Sequence, residues 1–147
     1  EDVVPEEIYE VEIGKSILRK EGADITLVAV SFMAYESTKA VEGLAREKID
    51  VELIDLRTVK PIDQDLILKS VKKTGRLVIA DGGWKTCGLA AEISAIVSEN
   101  GFEYLKAPIK RVTLPDCPAP ASAVLEKEYY KYSSDIVEVV KQVMIQE

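Results

Sequence analysis

Leu77-Val78-Ile79-Ala80 is an unbroken apolar run of strand length. It lacks the polar alternation of a half-exposed sheet, so both of its faces must be covered, as in the central strands of parallel sheets. The run stops at Asp81-Gly82-Gly83-Trp84, read as a glycine turn. A helix pattern then opens at Gly88, carries Leu89, Ile93, Ile96 and Val97 on one stripe, and closes at Asn100-Gly101. Strand, turn and helix make the repeating unit of an open parallel α/β sheet, and the rest of the chain is arranged around this one.

The same alternation recurs on either side. Ile25–Val30 is an apolar strand followed by a helix over Met33–Lys48, with Val41, Leu44 and Ala45 turned inward. Val51–Leu56 is the next strand. Asp63 has the position of an N-cap, flanked by Ile62 and Ile67 at the spacing of a hydrophobic staple, and the helix it opens runs to Lys73 before Thr74-Gly75 stops it. Ile109–Thr113 is a further strand, ended by Pro115-Asp116. Pro118 and Pro120 hold the following loop extended and launch a short helix, Ala121–Tyr129; Ser133 or Ser134 caps a last helix to Ile145. Gly14–Lys20 reads as an edge strand joined to Ile25–Val30 through the Glu21–Asp24 turn as a hairpin.

The expected architecture is therefore a three-layer α/β domain. Its open sheet has about five strands, mainly parallel with one antiparallel edge strand near Gly14–Lys20, and helices on both faces. Residues 14–147 form this domain, and the acidic, Pro5-containing segment 1–13 is a linker or arm. In such a sheet a ligand or partner meets the carboxyl ends of the strands, here Ser31-Phe32, Asp55–Thr58, Asp81–Trp84 and Leu114–Asp116.

Composition narrows the chemistry. A chain of 147 residues that is 47% apolar can bury one core without metal or disulfide support. The net charge of −7 is the wrong sign for nucleic acid or an anionic membrane, and no run approaches the roughly 18 apolar residues of a membrane helix. Cys87 and Cys117 are far apart and in no zinc spacing, which points to a reduced, cytoplasmic setting. A start at Glu1 without methionine suggests a processed product or an excised domain. There is no histidine, which removes the commonest general base, the Ser-His and Cys-His nucleophile pairs and most catalytic zinc sites.

What remains permits several readings. Asp81-Gly82-Gly83 ahead of a helix could cradle an anion on backbone N–H groups, but Gly82-Gly83 followed by Gly88 matches neither dinucleotide nor phosphate-loop spacing; the other reading is a tight turn needing glycine for steric reasons. Trp84 is either a core lid or an exposed interface anchor. Cys87 precedes a helix N-terminus, a place that favours a thiolate, yet nothing in the sequence activates it and the inert reading is preferred. Asp55 with Arg57, and Asp116 with Lys110 or Arg111, are candidate strand-end ion pairs. Tyr129-Tyr130-Lys131-Tyr132 either packs the last helix onto the sheet or makes a subunit contact.

Several stretches, in order along nearly the whole chain, resemble a known family. They are Gly14-Lys15 with Glu21–Thr26, Ile54–Asp63, Lys73–Val78, Gly82-Gly83-Trp84 leading to Gly88 and Ala91-Glu92-Ile93, Ala107–Thr113, and Pro115–Pro120. From about Gly14 onward the chain is similar to the C-terminal domain of the transketolase-like superfamily. It most resembles the β subunit of the thiamine-diphosphate-dependent decarboxylase component of 2-oxo acid dehydrogenases, pyruvate dehydrogenase in particular. The resemblance implies an oxidoreductase parent in which thiamine diphosphate, magnesium and the catalytic residues lie on other domains. This domain would join an α subunit and a second β subunit into a heterotetramer and dock the acyltransferase component.

No catalytic, cofactor or metal residue is expected here; Gly82, Gly83, Trp84, Lys106, Asp116, Pro118 and Pro120 are the candidate interface or docking residues. The chain departs from the family pattern in three places. Lys106 stands where the residue before Ala-Pro is commonly acidic and helps hold the acyltransferase. Leu114 replaces a usual glycine, and Ala121-Ser122 replaces a segment that usually carries an aromatic residue. The competing readings are a sugar transketolase or deoxyxylulose-phosphate synthase domain, and a free-standing nucleotide- or anion-binding module.

Overall fold

The computed structural model describes residues 6–145. The elements run β1 (Ile17–Lys20), β2 (Ile25–Ala29), α1 (Phe32–Arg46), β3 (Val51–Asp55), α2 (Gln64–Thr74), β4 (Leu77–Trp84), α3 (Leu89–Asn100), β5 (Lys110–Leu114), α4 (Ala123–Tyr129) and α5 (Ser133–Ile145). One five-stranded sheet has the order β1-β3-β2-β4-β5; β1 is antiparallel to β3 and every other pair is parallel. This is the mainly parallel α/β sheet with an antiparallel edge that the hydrophobic pattern demands.

Strand periodicity divides the core in two. Ile25, Leu27, Ala29, Val78 and Ala80 point to one face, where Val41 and Leu44 of α1 and Ile136, Val140 and Val143 of α5 cover them. Val28, Leu77 and Ile79 point to the other face, against Ile67 and Val71 of α2 and Ile93 and Val97 of α3. Thr26 is a polar residue at a buried β2 position. It is satisfied by the Ser70 and Thr74 hydroxyls at 2.7 and 2.8 Å, which tie α2 across the sheet.

Several local expectations need correction. The edge hairpin is absent, because β1 pairs with β3 and not with β2. The intervening chain instead crosses the start of β3. Ala23 and Asp24 both donate backbone N–H groups to the Asp50 carbonyl, and a Cβ on Gly22 would lie 2.2 Å from the Val51 carbonyl carbon. The edge strand is also shorter than Gly14–Lys20. Gly14, at φ 83°, donates to the Thr58 hydroxyl and Ser16 N–H donates to Asp63, so both hydrogen bonds go to a loop instead of a ladder. Asp63 does cap α2, accepting from Leu66 N–H at 3.3 Å.

The largest correction concerns Asp81–Trp84, which is strand and not turn. β4 continues to Trp84, with a register shift against β5 between Ala80 and Trp84. The turn lies at residues 85–88 instead. Helix α4 starts at Ala123, two residues later than Pro118 and Pro120 suggest. Neither Ser133 nor Ser134 caps α5; Asp135 accepts the Tyr132 N–H at 2.9 Å and performs that task from inside the first turn. Of the proposed arm, residues 1–5 lie outside the described part, and residues 6–13 have no regular secondary structure and are exposed.

Candidate functional site

The carboxyl ends of β2, β4 and β5 open into a cavity of about 500 Å³. Met33 and Leu114 contribute to its apolar lining, Phe32, Tyr130 and Tyr132 its aromatic walls, and Asp81 and Lys131 its charges. The arrangement follows from the strand ends. Ser31, at φ 54°, turns the chain sharply out of β2, so that Phe32 and Tyr35 emerge on the exposed side of α1. Phe32 then meets Tyr35 and Tyr132 with ring centroids 6.4 Å apart in each pair, the second edge-on, and Lys39 lies over Tyr35 at 4.1 Å. These aromatic residues form a half-exposed surface patch beside the cavity.

Asp81 organises this edge. Its side chain is 7% exposed, and its two oxygens accept the Gly83 N–H at 2.9 Å and the Ala90 N–H at 3.0 Å. It therefore shapes the bulged end of β4 and supplies the anionic cap of α3, which Gly88 at the N-cap position cannot. The anion cradle suggested by Gly82-Gly83 is thus already filled by the protein's own carboxylate. The sequence gives little warning of this role, since the capping side chain comes from the preceding strand.

Two loops continue beyond the sheet side by side. Thr86 donates both its N–H and its hydroxyl to Asp116, at 2.9 and 2.7 Å, and these donors hold the Asp116 carboxyl below its ordinary range. Asp116 therefore does not pair with Lys110 or Arg111; Arg111 donates to the Lys85 carbonyl at 2.9 Å. Trp84 is 52% exposed, and its indole N–H donates to the Tyr129 hydroxyl at 3.1 Å, which donates onward to the Cys117 carbonyl at 2.8 Å. Tyr129 is buried and fastens α4 to this loop, while Tyr130 and Tyr132 face the cavity. Asp55 pairs with Arg19 of β1 at 2.8 Å and not with Arg57.

Of the candidate residues, Gly82, Gly83, Trp84, Asp116, Pro118 and Pro120 lie on the carboxyl edge or its loops. Lys106 does not. Its N–H donates to the Gly75 carbonyl at 2.8 Å, ahead of β4 and β5, so it sits at the amino edge of the sheet. Five residues of β5 separate the two edges, about 17 Å of strand. There Lys106 borders a second, shallower groove of about 710 Å³ with Phe102, Pro108 and Arg111. Ser31-Phe32 is one of the strand ends the sequence points to, whereas the exposed Tyr35 beside it was missed, because nothing local distinguishes it from the rest of the helix it lies on.

Two buried carboxylates lie away from the cavity. Burial opposes the Glu36 charge, but the Lys39 ammonium and the Ser133 N–H outweigh it and hold the carboxyl below its usual range, linking α1 to α5. Burial likewise opposes ionisation of Glu52, and Lys73, Ser70 and the Gly22 N–H more than offset it. No group of three His, Cys, Asp or Glu side chains suited to a metal ion occurs among the described residues. No helix among the described residues is long and apolar enough to cross a membrane.

Residues 14–136 match the family described as transketolase, C-terminal domain. The chain is 43% identical over 140 residues to the pyruvate dehydrogenase E1 component subunit beta of Rickettsia felis, covering 95% of this chain and 43% of that protein. It is 39% identical over 141 residues to the acetoin:2,6-dichlorophenolindophenol oxidoreductase subunit beta of Bacillus subtilis, covering 96% and 41%. A solved structure titled split gene transketolase, inactive beta4 tetramer, superposes with a TM-score of 0.80 at 27% identity, over 94% of this chain and 45% of that one. The chain thus spans less than half the length of each of these proteins.

Proposed function

This chain belongs to the transketolase C-terminal domain family, and we propose that it is the C-terminal assembly domain of a β subunit whose parent oxidatively decarboxylates a 2-oxo acid or cleaves acetoin. What carries the reading is identity near 40% along almost the entire chain to subunits of that kind. In this proposal the parent holds thiamine diphosphate and magnesium on other domains, residues 1–13 connect to them, and this domain contributes surface to a heterotetramer with an α subunit and a second β subunit.

The carboxyl edge is the face proposed for that contact. It combines an exposed indole, the Phe32–Tyr35–Tyr132 patch and the Pro118 and Pro120 loop around a cavity, with Gly82 and Gly83 bringing backbone close to the surface. Asp116 and Thr86 hold the loop in place. The acyltransferase contact is proposed for the amino edge, where Lys106 stands in place of the family's acidic residue, so docking there has to proceed without that charge contact.

A hybrid tests this. The C-terminal domain of a pyruvate dehydrogenase β subunit is replaced by this chain and the product is co-expressed with the matching α subunit. A heterotetramer by light scattering, with pyruvate- or acetoin-dependent reduction of dichlorophenolindophenol, is expected. A hybrid that folds but leaves the α subunit unassembled would overturn the proposal, as would tight binding of thiamine diphosphate and magnesium to this chain alone.

A further inference from the structure

The two cysteines lie on the two loops that run together beyond the sheet. Trp84 pairs with Leu114 in the β4–β5 ladder, and two residues on Thr86 is hydrogen-bonded to Asp116. The offset is thirty residues in both pairs, and the residue that follows each member of the Thr86–Asp116 pair is a cysteine, Cys87 on one loop and Cys117 on the other. A disulfide needs a Cα separation of roughly 4.4–6.8 Å, so the two loops have only to bring the residues beyond the Thr86–Asp116 bridge within that range. Both thiols are free and exposed. The loops are pinned, since Lys85 N–H donates to the Leu114 carbonyl at 3.2 Å and Tyr129 holds the Cys117 carbonyl. Cys87 also occupies a left-handed backbone position, φ 56°, where glycine would sit without strain, so the backbone gains nothing from a cysteine there.

We propose that Cys87 and Cys117 are partner thiols that close a reversible intramolecular disulfide. With hydrogen peroxide as oxidant, one thiolate attacks the peroxide bond, becomes a sulfenic acid and releases water after protonation. The second thiolate then displaces the sulfenic hydroxyl, forming the sulfur–sulfur bond and a second water. Two thiols and one peroxide become one disulfide and two waters, and an external dithiol reverses the reaction. The bond joins the start of α3 to the loop carrying Asp116, Pro118 and Pro120, and it stands whether or not that loop docks a subunit.

The test treats the native chain with dilute hydrogen peroxide, alkylates it with iodoacetamide and measures its mass. A monomer lighter by two hydrogens, with both alkylation sites lost together and restored by dithiothreitol, is expected. In the tryptic digest Thr86–Lys106 and Val112–Lys127 should be joined, and neither Cys87→Ser nor Cys117→Ser should show the mass loss. Thiols that stay alkylatable, that end as separate sulfinic acids, or that bridge two copies in a concentration-dependent manner would overturn the proposal.

Discussion

Replacing Asp81 with alanine should cost the fold about 3 kcal/mol, because it strips the acceptor from two backbone donors at once. The Ala90 N–H belongs to a fully buried residue and cannot turn to water, so losing its charged acceptor costs about 2 kcal/mol. The Gly83 N–H is half-buried and partly recovered by solvent, adding about 1 kcal/mol. With a urea slope of roughly 1–3 kcal/mol per molar, the unfolding midpoint falls by about 1–3 M. Asp81→Asn keeps a carbonyl oxygen for Gly83 but turns an amide toward the Ala90 donor, so it should lose about 2 kcal/mol and rank between the parent and alanine. Amide hydrogen exchange should accelerate at Gly83 and Ala90, and Trp84 fluorescence should report a loosened end of β4. The reasoning fails if Asp81→Ala stays within about 0.5 kcal/mol of the parent with exchange at those two amides unchanged.

Glu52 predicts a pH dependence. Its carboxyl is held below the ordinary value of 4.5, so the charged form stabilises the native state fully above that value, and the contribution is lost as pH falls beneath it. Glu52→Gln should therefore cost about 1–2 kcal/mol at pH 7, with the gap to the parent closing under acid; urea midpoints measured across pH 7 to 3 check this, and a pH-independent gap would refute it. Gly22→Ala should destabilise by about 3 kcal/mol or more, because the added methyl would meet the Val51–Glu52 backbone at 2.2–2.5 Å and no flexible side chain can yield. A thermal melt within about 2 °C of the parent would show that the crossing is looser than the packing implies.

Unbroken apolar runs separated by amphipathic helices leave few ways to bury both faces of a strand, so the layers and the parallel majority of the sheet were legible in residues such as Leu77–Ala80 and Ile25–Ala29. The cap at Asp63 was legible too, because its partner lies three residues away. The rest depended on contacts between distant residues. Whether Gly82-Gly83 turns or continues as strand is decided by β5 alongside and by Asp81 folding back onto Gly83 and Ala90. The partner of Asp116 proved to be Thr86, thirty residues away, and Lys106 parted from the other docking candidates because it precedes a strand that Asp116 follows. Local pattern encodes which surfaces must be buried, because periodicity is a property of neighbouring residues; which polar groups then meet depends on the order of the strands, and that is set only when the whole sheet closes its core.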